Sequence, residues 1–550
     1  MQWSGSKVGV ALLLLGMGCV ESAPTDSSIS ETGQELDVVE GVALDPAPAV
    51  LPRLTSEQYH RAIHDLFGSE VIPPSGLEPD SDQGGMISVG TAISSVSPLG
   101  AEQYAKGAAA VAEQVLATPE SRAAFLPCVP SGTVDADCAR QAIDAWGLRI
   151  WRRPLTGAEV DAHVAIATVS METLGDFHQG LSYALSALLQ SPHFLYRHME
   201  GEAVEGDSGI RRYTSWEMAS RLSFFLWNTI PDDLLLEAAA SNALVTDEGL
   251  AEQVSRMMGD ERSGGAVANF FSEWLHLYKL KGLTKDPTVF KHYSADLGES
   301  AREETLRGVE HLVFQEDADI RTLFTTRRTW VNKRLAAIYN IPAVTSEGFG
   351  EVMLPLEGQR AGFFGQVSFL GLHAHPVSSS PTLRGVFVRE ELLCQSVPSP
   401  PADTNTAIPE PSPDAITLKD RLQEHMTNPS CAGCHAFTDP IGFGLESFDG
   451  IGRYRILDNG GAIDPSGSLD EVEFADAIEL MEGVANHPEF PACFVEKLYA
   501  YANSRGPTPG EAALLAQLTD TFITGGHRVL PLMEAIVMSP GFRQLQETTP

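Results

Sequence analysis

The chain has 550 residues, 43% of them hydrophobic, which is apolar material for roughly three or four domains' worth of core. Its 73 acidic residues outweigh 37 basic ones, for a formal net charge of −36. A phosphate-binding surface needs a basic stripe and none is visible, so the balance argues against a nucleic-acid partner and reads as a solubilising surface.

At the N-terminus, Lys7 precedes the apolar run Val8 to Leu15 and then Gly16-Met17-Gly18-Cys19, the layout of a secretory signal. The run is too short to stay in a membrane as a span. Small residues directly before Cys19 resemble a bacterial lipoprotein processing site, although Gly16 stands where a branched aliphatic residue is more usual. Residues 1–19 are therefore expected to be a lipoprotein-like signal peptide with Cys19 as the lipidation site, against ordinary cleavage nearby. Residues 20–50, rich in Ser, Asp, Glu and Pro, read as a flexible tether. These features predict export to the periplasm or to an outer-membrane or cell-surface lipoprotein, touching membrane only through that anchor.

The body reads as helix after helix. Leu54-Thr55-Ser56-Glu57-Gln58-Tyr59 opens with a capping-type sequence, after which Tyr59, Ile63, Leu66 and Phe67 recur at helical spacing until Gly68. A second helix is expected over Ala101–Leu116 and a third over Ala139–Trp151. Between them Cys128 and Cys138 flank a short loop. Arg152-Arg153-Pro154-Leu155-Thr156 ends the third helix, and Thr156 can cap the next. Leu181–Arg197 is an apolar helix broken at Ser191-Pro192, and Leu530–Arg543 echoes it with the same Ser-Pro-x-Phe stop. Trp216–Ala240 is apolar around most of its circumference, as a central core helix would be. Arg328–Asn332 is the clearest short strand. His373 and His375 sit in a Gly- and Ser-rich loop, as ordinary loop histidines or a metal-facing pair. Residues 398–416 are a Pro-rich linker. The resulting division is an N-terminal helical domain (51–160), a central helical domain (161–345), a helical and loop segment (346–397), the linker, and a C-terminal module (417–550).

That module carries the one residue arrangement with a specific chemistry. Cys431-Ala432-Gly433-Cys434-His435 is the C-x-x-C-H pattern of covalent haem c attachment: two thiols add to the vinyl groups, and the next imidazole binds the iron. On a tight turn, the two-residue gap puts both sulfurs on one side. A half zinc site, a redox dithiol or coincidence are the rivals. Zinc needs two more ligands and no second C-x-x-C follows, and a thioredoxin-like dithiol expects a βαβ setting. With Cys19 lipidated and Cys431 and Cys434 on haem, four cysteines remain. Cys128–Cys138 is the favoured disulfide, leaving Cys394 and Cys493 as a second pair or as buried free thiols.

The sequence resembles the large exported cytochrome-like proteins of planctomycetes and myxobacteria, whose segments are mostly domains of unknown function. The likeness rests on Leu54-Thr55 through Gly68, Arg152-Arg153-Pro154-Leu155-Thr156, Ser191–Arg197, Ser220–Trp227 with Pro231-Asp232-Asp233, Arg360-Ala361-Gly362, Arg384-Gly385, and the C-x-x-C-H segment through Gly452-Arg453. It implies a c-type haem and export, and no established substrate. Where many members have M-D-P after the haem histidine, this chain has Thr438-Asp439-Pro440, so no methionine there can be a ligand.

Chemistry extends the site. His435 is expected to donate its second ring nitrogen to a carbonyl near Pro440. Phe443 and Phe448 would shield the macrocycle or belong to the core, and Arg453 or Arg455 would pair a propionate. Glu446 and Asp449 are read as fixing the turn or pairing those arginines rather than as catalytic carboxylates. Met426, Met533, Met538, His375 and His425 are all candidates for the sixth iron position. No catalytic residue is assigned, because no triad spacing, P-loop or dinucleotide fingerprint is present. The expected fold is mainly α, a multi-domain helical body with a C-terminal cytochrome c-like haem module. The expected function is electron transfer with an envelope redox partner; a haem-dependent oxidoreductase, peroxidase-like or catabolic, and a surface binding protein with structural haem are the alternatives.

Overall fold

In the computed structural model, residues 44–204, 209–398, 410–427 and 429–547 are described; the signal region with Cys19 and most of the Pro-rich stretch lie outside them. The chain is mainly α, with a few two- and three-stranded antiparallel sheets. Its helices begin where the local chemistry says they should. Thr55 and Gln58 form a reciprocal capping box that starts Ser56–Phe67, and Gly68 ends that helix at φ 83°, a conformation glycine adopts without penalty. Thr156 with Glu159 and Thr214 with Glu217 start Gly157–Leu174 and Ser215–Leu226 in the same way. Ser191 caps the short turn Pro192–Leu195 after Phe177–Leu189, so the expected Ser-Pro break is present. The apolar stretch from Trp216 becomes two helices, Ser215–Leu226 and Asp233–Ala240, separated around Pro231. Arg328–Val331 is a strand, antiparallel to Gly350–Met353.

Burial divides this material differently from the sequence. One apolar cluster gathers Tyr59, Tyr104, Ile143, Trp151, Leu185 and Phe194, and so runs from residue 54 past residue 160 to Ile230. A larger one runs from Met86 to Leu545 and includes Trp227, Trp274, Phe363, Phe448 and Phe494. It joins residues on both sides of the Pro-rich stretch, so the helices after residue 417 share their core with the central helices instead of closing a core of their own. A small satellite holds Leu418, Leu422 and Phe443, with Met426 packed against it.

Two close backbone approaches fix the region that matters for chemistry. Helix Pro381–Phe387 lies against helix Pro429–Phe443. A Cβ on Gly385 would sit 2.0 Å from the Thr438 carbonyl oxygen, and one on Gly442 would sit 2.0 Å from the Pro381 carbonyl oxygen. Only glycine permits that contact. Cys128–Cys138 and Cys394–Cys493 are both disulfides, the second linking residues 99 apart in sequence. No helix among the described residues is long and apolar enough to cross a membrane.

Candidate functional site

The C-x-x-C-H residues lie on helix Pro429–Phe443, not on a tight turn as their glycine and proline content suggests. Proline is tolerated at the first helical position, and the later Pro440 is carried inside the helix next to its packed end. Arg389 supports the turn before it, donating from Nε to the Phe437 carbonyl at 3.0 Å with its guanidinium 3.9 Å from the Phe437 ring centroid. A helix brings Cys431 and Cys434, three apart, onto one face, which meets the same requirement that the turn was meant to meet. Both thiols are half-buried and unbonded, whereas the other four described cysteines are paired. Burial, and then the Asp439 carboxylate, push the Cys434 thiol pKa up.

One turn further on, the helix supplies a partner for His435 that the sequence reading missed. His435 Nδ1 lies 2.7 Å from Asp439 Oδ2, so the partner is a carboxylate and not a carbonyl of the Pro440 loop. Asp439 is fully buried, and its other oxygen accepts from Thr382 Oγ1 at 2.7 Å and Thr438 Oγ1 at 3.3 Å. Thr382 belongs to the facing helix, so the glycine-mediated packing sets the orientation of the imidazole. The hydrogen bond to Asp439 raises the His435 pKa above the usual histidine range. The signal was available: His and Asp four apart face each other on a helix. Gly433 and Pro440 give the segment the look of a turn, in which that spacing carries no such meaning.

Beyond the helix, Glu446 is 3% exposed and placed between two arginines. It accepts from Arg384 Nη1 at 3.2 Å, Arg455 Nη2 at 2.9 Å and Ser379 Oγ at 2.9 Å. Arg384 also donates to the carbonyls of Leu445, Phe448 and Asp449. Asp449 accepts from the backbone N–H groups of Ile451 and Arg453 and so closes the turn. Both carboxylates are structural, as expected. Arg455 is committed to Glu446 and Asp458, while Arg453 is exposed. Phe448 belongs to the main core and Phe443 to the satellite cluster beside Met426.

The candidate sixth ligands are scattered. Met533 is buried in the main core and Met538 packs against it. His375 is exposed on the loop before Pro381, where its carbonyl accepts from Lys285. Met426 packs against the satellite cluster that holds Phe443 of the motif helix; the His425 side chain lies outside the described residues. Among the described residues no group of three or more Cys, His, Asp or Glu side chains is arranged to hold a metal ion.

Five family models match successive segments of the chain, each described as a protein of unknown function: DUF1587 over residues 53–117, DUF1595 over 138–198, DUF1592 over 213–341, DUF1588 over 360–458 and DUF1585 over 470–542. The chain thus carries five planctomycete-type, cytochrome-associated domains of unknown function. The C-x-x-C-H helix and both its supporting arginine clusters fall within one of them, residues 360–458. No curated protein and no solved structure matches the chain.

Proposed function

We propose that this is an exported c-type haem protein that transfers electrons in the cell envelope to or from another redox protein. The observation that carries the reading is the pair of unbonded thiols on one face of helix Pro429–Phe443, followed at once by a histidine whose Nδ1 is held by a buried carboxylate. In a chain whose other described cysteines are disulfides, two thiols left reduced, three residues apart and half-exposed, fit stable thioether attachment to a porphyrin. Cys431 and Cys434 would hold the macrocycle and His435 the iron, supplying one-electron redox chemistry when bound.

Asp439 then fixes the imidazole's tautomer and orientation and raises its basicity as a ligand. Thr382 and Thr438 hold that carboxylate in place through hydrogen bonds. Met426 is the sixth-ligand candidate that the packing favours, because helix Leu418–Thr427 lies beside the motif helix. Export, and lipid anchoring at Cys19, belong to the same proposal, supported by the disulfides and by the N-terminal sequence.

The test is a pyridine haemochrome spectrum of protein produced with export and cytochrome-maturation machinery. A spectrum of the two-thioether type, with colour staying on the polypeptide after denaturing electrophoresis, is the expected result. Colourless protein with Cys431 and Cys434 both open to alkylation overturns it. Carbon monoxide then separates carrier from enzyme: failure to bind supports a six-coordinate electron carrier, and ready binding replaces that assignment with an oxidoreductase.

A further inference from the structure

Helices Arg262–Trp274 and Leu297–Glu310 pack against each other and leave between them a cavity of ≈ 300 Å³, at the lower end of the roughly 300–1,000 Å³ range of small-molecule pockets. All of its lining residues fall within residues 213–341, one of the matched domains of unknown function, and none has a part in the haem proposal. We propose that this cavity binds an organic cation, a protonated or quaternary amine carried on one apolar ring or a short apolar chain.

The wall is apolar where a ligand can touch it. Ala268, Leu306 and Phe314 are half-buried and so keep accessible surface, while Val267 and Val309 are buried and close the base. Phe314 comes from a single π-helical turn, His311–Gln315, that continues the second helix. Such turns are rare and recur at functional sites, and here one supplies the aromatic ring of the cavity. Gly264 and Gly265 also line it, both in the first helix, where glycine lowers stability relative to alanine. Gly265 has a packing reason, since a Cβ there would sit 2.5 Å from Arg61 Nη1. Gly264 has none: a Cβ would meet nothing within 4 Å, so its missing side chain leaves open space on this wall.

The charge left over is negative. Three carboxylates, Glu261, Glu303 and Glu310, and one guanidinium, Arg307, line the cavity. Arg307 Nη2 lies 2.7 Å from Glu303 Oε1, which cancels one pair, and Arg61, the cation that approaches Gly265, is held by Glu57 at 2.8 Å. Glu261 and Glu310 are exposed, and neither side chain has a hydrogen-bond or ion-pair partner among the described residues. A bare metal ion needs a shell of oxygens, and no group of three or more Cys, His, Asp or Glu side chains among the described residues is arranged to supply one. Two carboxylates without a cation, beside an aromatic ring and an aliphatic wall, suit a positive charge carried on an organic body. The ammonium group meets Glu261, Glu310 and the ring of Phe314, and the hydrocarbon part covers Leu306 and Ala268.

The test is calorimetric titration of the full chain with phenethylamine, cyclohexylamine and butyltrimethylammonium. Phenylacetate and phenethyl alcohol serve as controls with the same ring and the opposite charge or none, and calcium chloride as a bare cation. At least one amine is expected to bind, about tenfold more tightly than either ring control, and to weaken as sodium chloride is raised. Glu261→Gln with Glu310→Gln should weaken it by about tenfold, and Phe314→Ala by about fivefold. Gly264→Leu should weaken it by about tenfold or more by filling the space, with a melting temperature no lower than the parent's, since leucine is the better helix former. The two exposed glutamates bond to nothing in the described chain, so their double variant decides the matter where Gly264→Leu fails to fold. The proposal is overturned if no amine binds, if phenylacetate or phenethyl alcohol binds as tightly, if the double variant or a folded Gly264→Leu retains full affinity, or if calcium alone binds. None of these readouts depends on haem loading.

Discussion

Removing Glu446 should unlock the segment that follows the C-x-x-C-H helix. Glu446→Ala leaves Arg384, itself 0% exposed, without its only carboxylate within ion-pair distance among the described residues. Desolvation raises the Glu446 pKa and lowers that of Arg384 to about 10, so burial opposes the charge on both partners. The pair is thus a poor source of net stability when intact, yet breaking it is costly, about 3–5 kcal/mol, because a charge stays buried and uncompensated. Arg384→Ala should cost about 3 kcal/mol by a different route. It leaves Glu446 to Arg455 and Ser379, but strips the carbonyls of Leu445, Phe448 and Asp449 of a donor, at about 1 kcal/mol each. Urea unfolding followed by tryptophan fluorescence gives the free energies, and hydrogen exchange should show protection lost first over residues 444–455. The reasoning is refuted if either Glu446→Ala or Arg384→Ala costs less than about 1 kcal/mol.

In protein lacking haem, His435 has a folded pKa raised by Asp439, so its contribution to stability should be complete below the unfolded value and lost as pH rises through the folded one; Asp439→Asn should remove that dependence. In haem-loaded protein the same variant should raise the reduction potential, measured by redox titration, since a less basic imidazole favours the ferric state less. Glu304, bonded to Thr329 and Tyr339, and Glu273 are fully desolvated and pushed up from 4.5 to about 7, so stability should fall as pH climbs across that window. Glu304→Gln and Glu273→Gln should each flatten the urea midpoint against pH, and unchanged slopes would discard the assignment. Cys394→Ser with Cys493→Ser opens a far longer loop than Cys128→Ser with Cys138→Ser, so it should cost more, about 4–5 against about 3 kcal/mol in denaturant titrations.

Much of the helical framework was legible because its signals are local. Thr55, Thr156 and Ser191 cap where their spacing says, Gly68 stops a helix, and Pro231 separates two. The motif helix is not legible locally, for a related reason. Gly433 and Pro440 look like turn residues, and only the facing helix, approached through Gly385 and Gly442, supplies the packing that overrides them. That packing also places Thr382 on Asp439, a contact across 57 residues that no local pattern contains.

The sequence by itself determined the chemistry available: two thiols and an imidazole at covalent-haem spacing, acid in excess, cysteines in a number that can pair, and helix boundaries written in capping residues. Tertiary structure decided which groups meet. It made Asp439 the histidine's partner, divided the cores without regard to the Pro-rich stretch, and joined Cys394 to Cys493. The physical reason is that capping and ligand spacing act over a few residues, whereas burial is settled by surfaces that come together from distant parts of the chain.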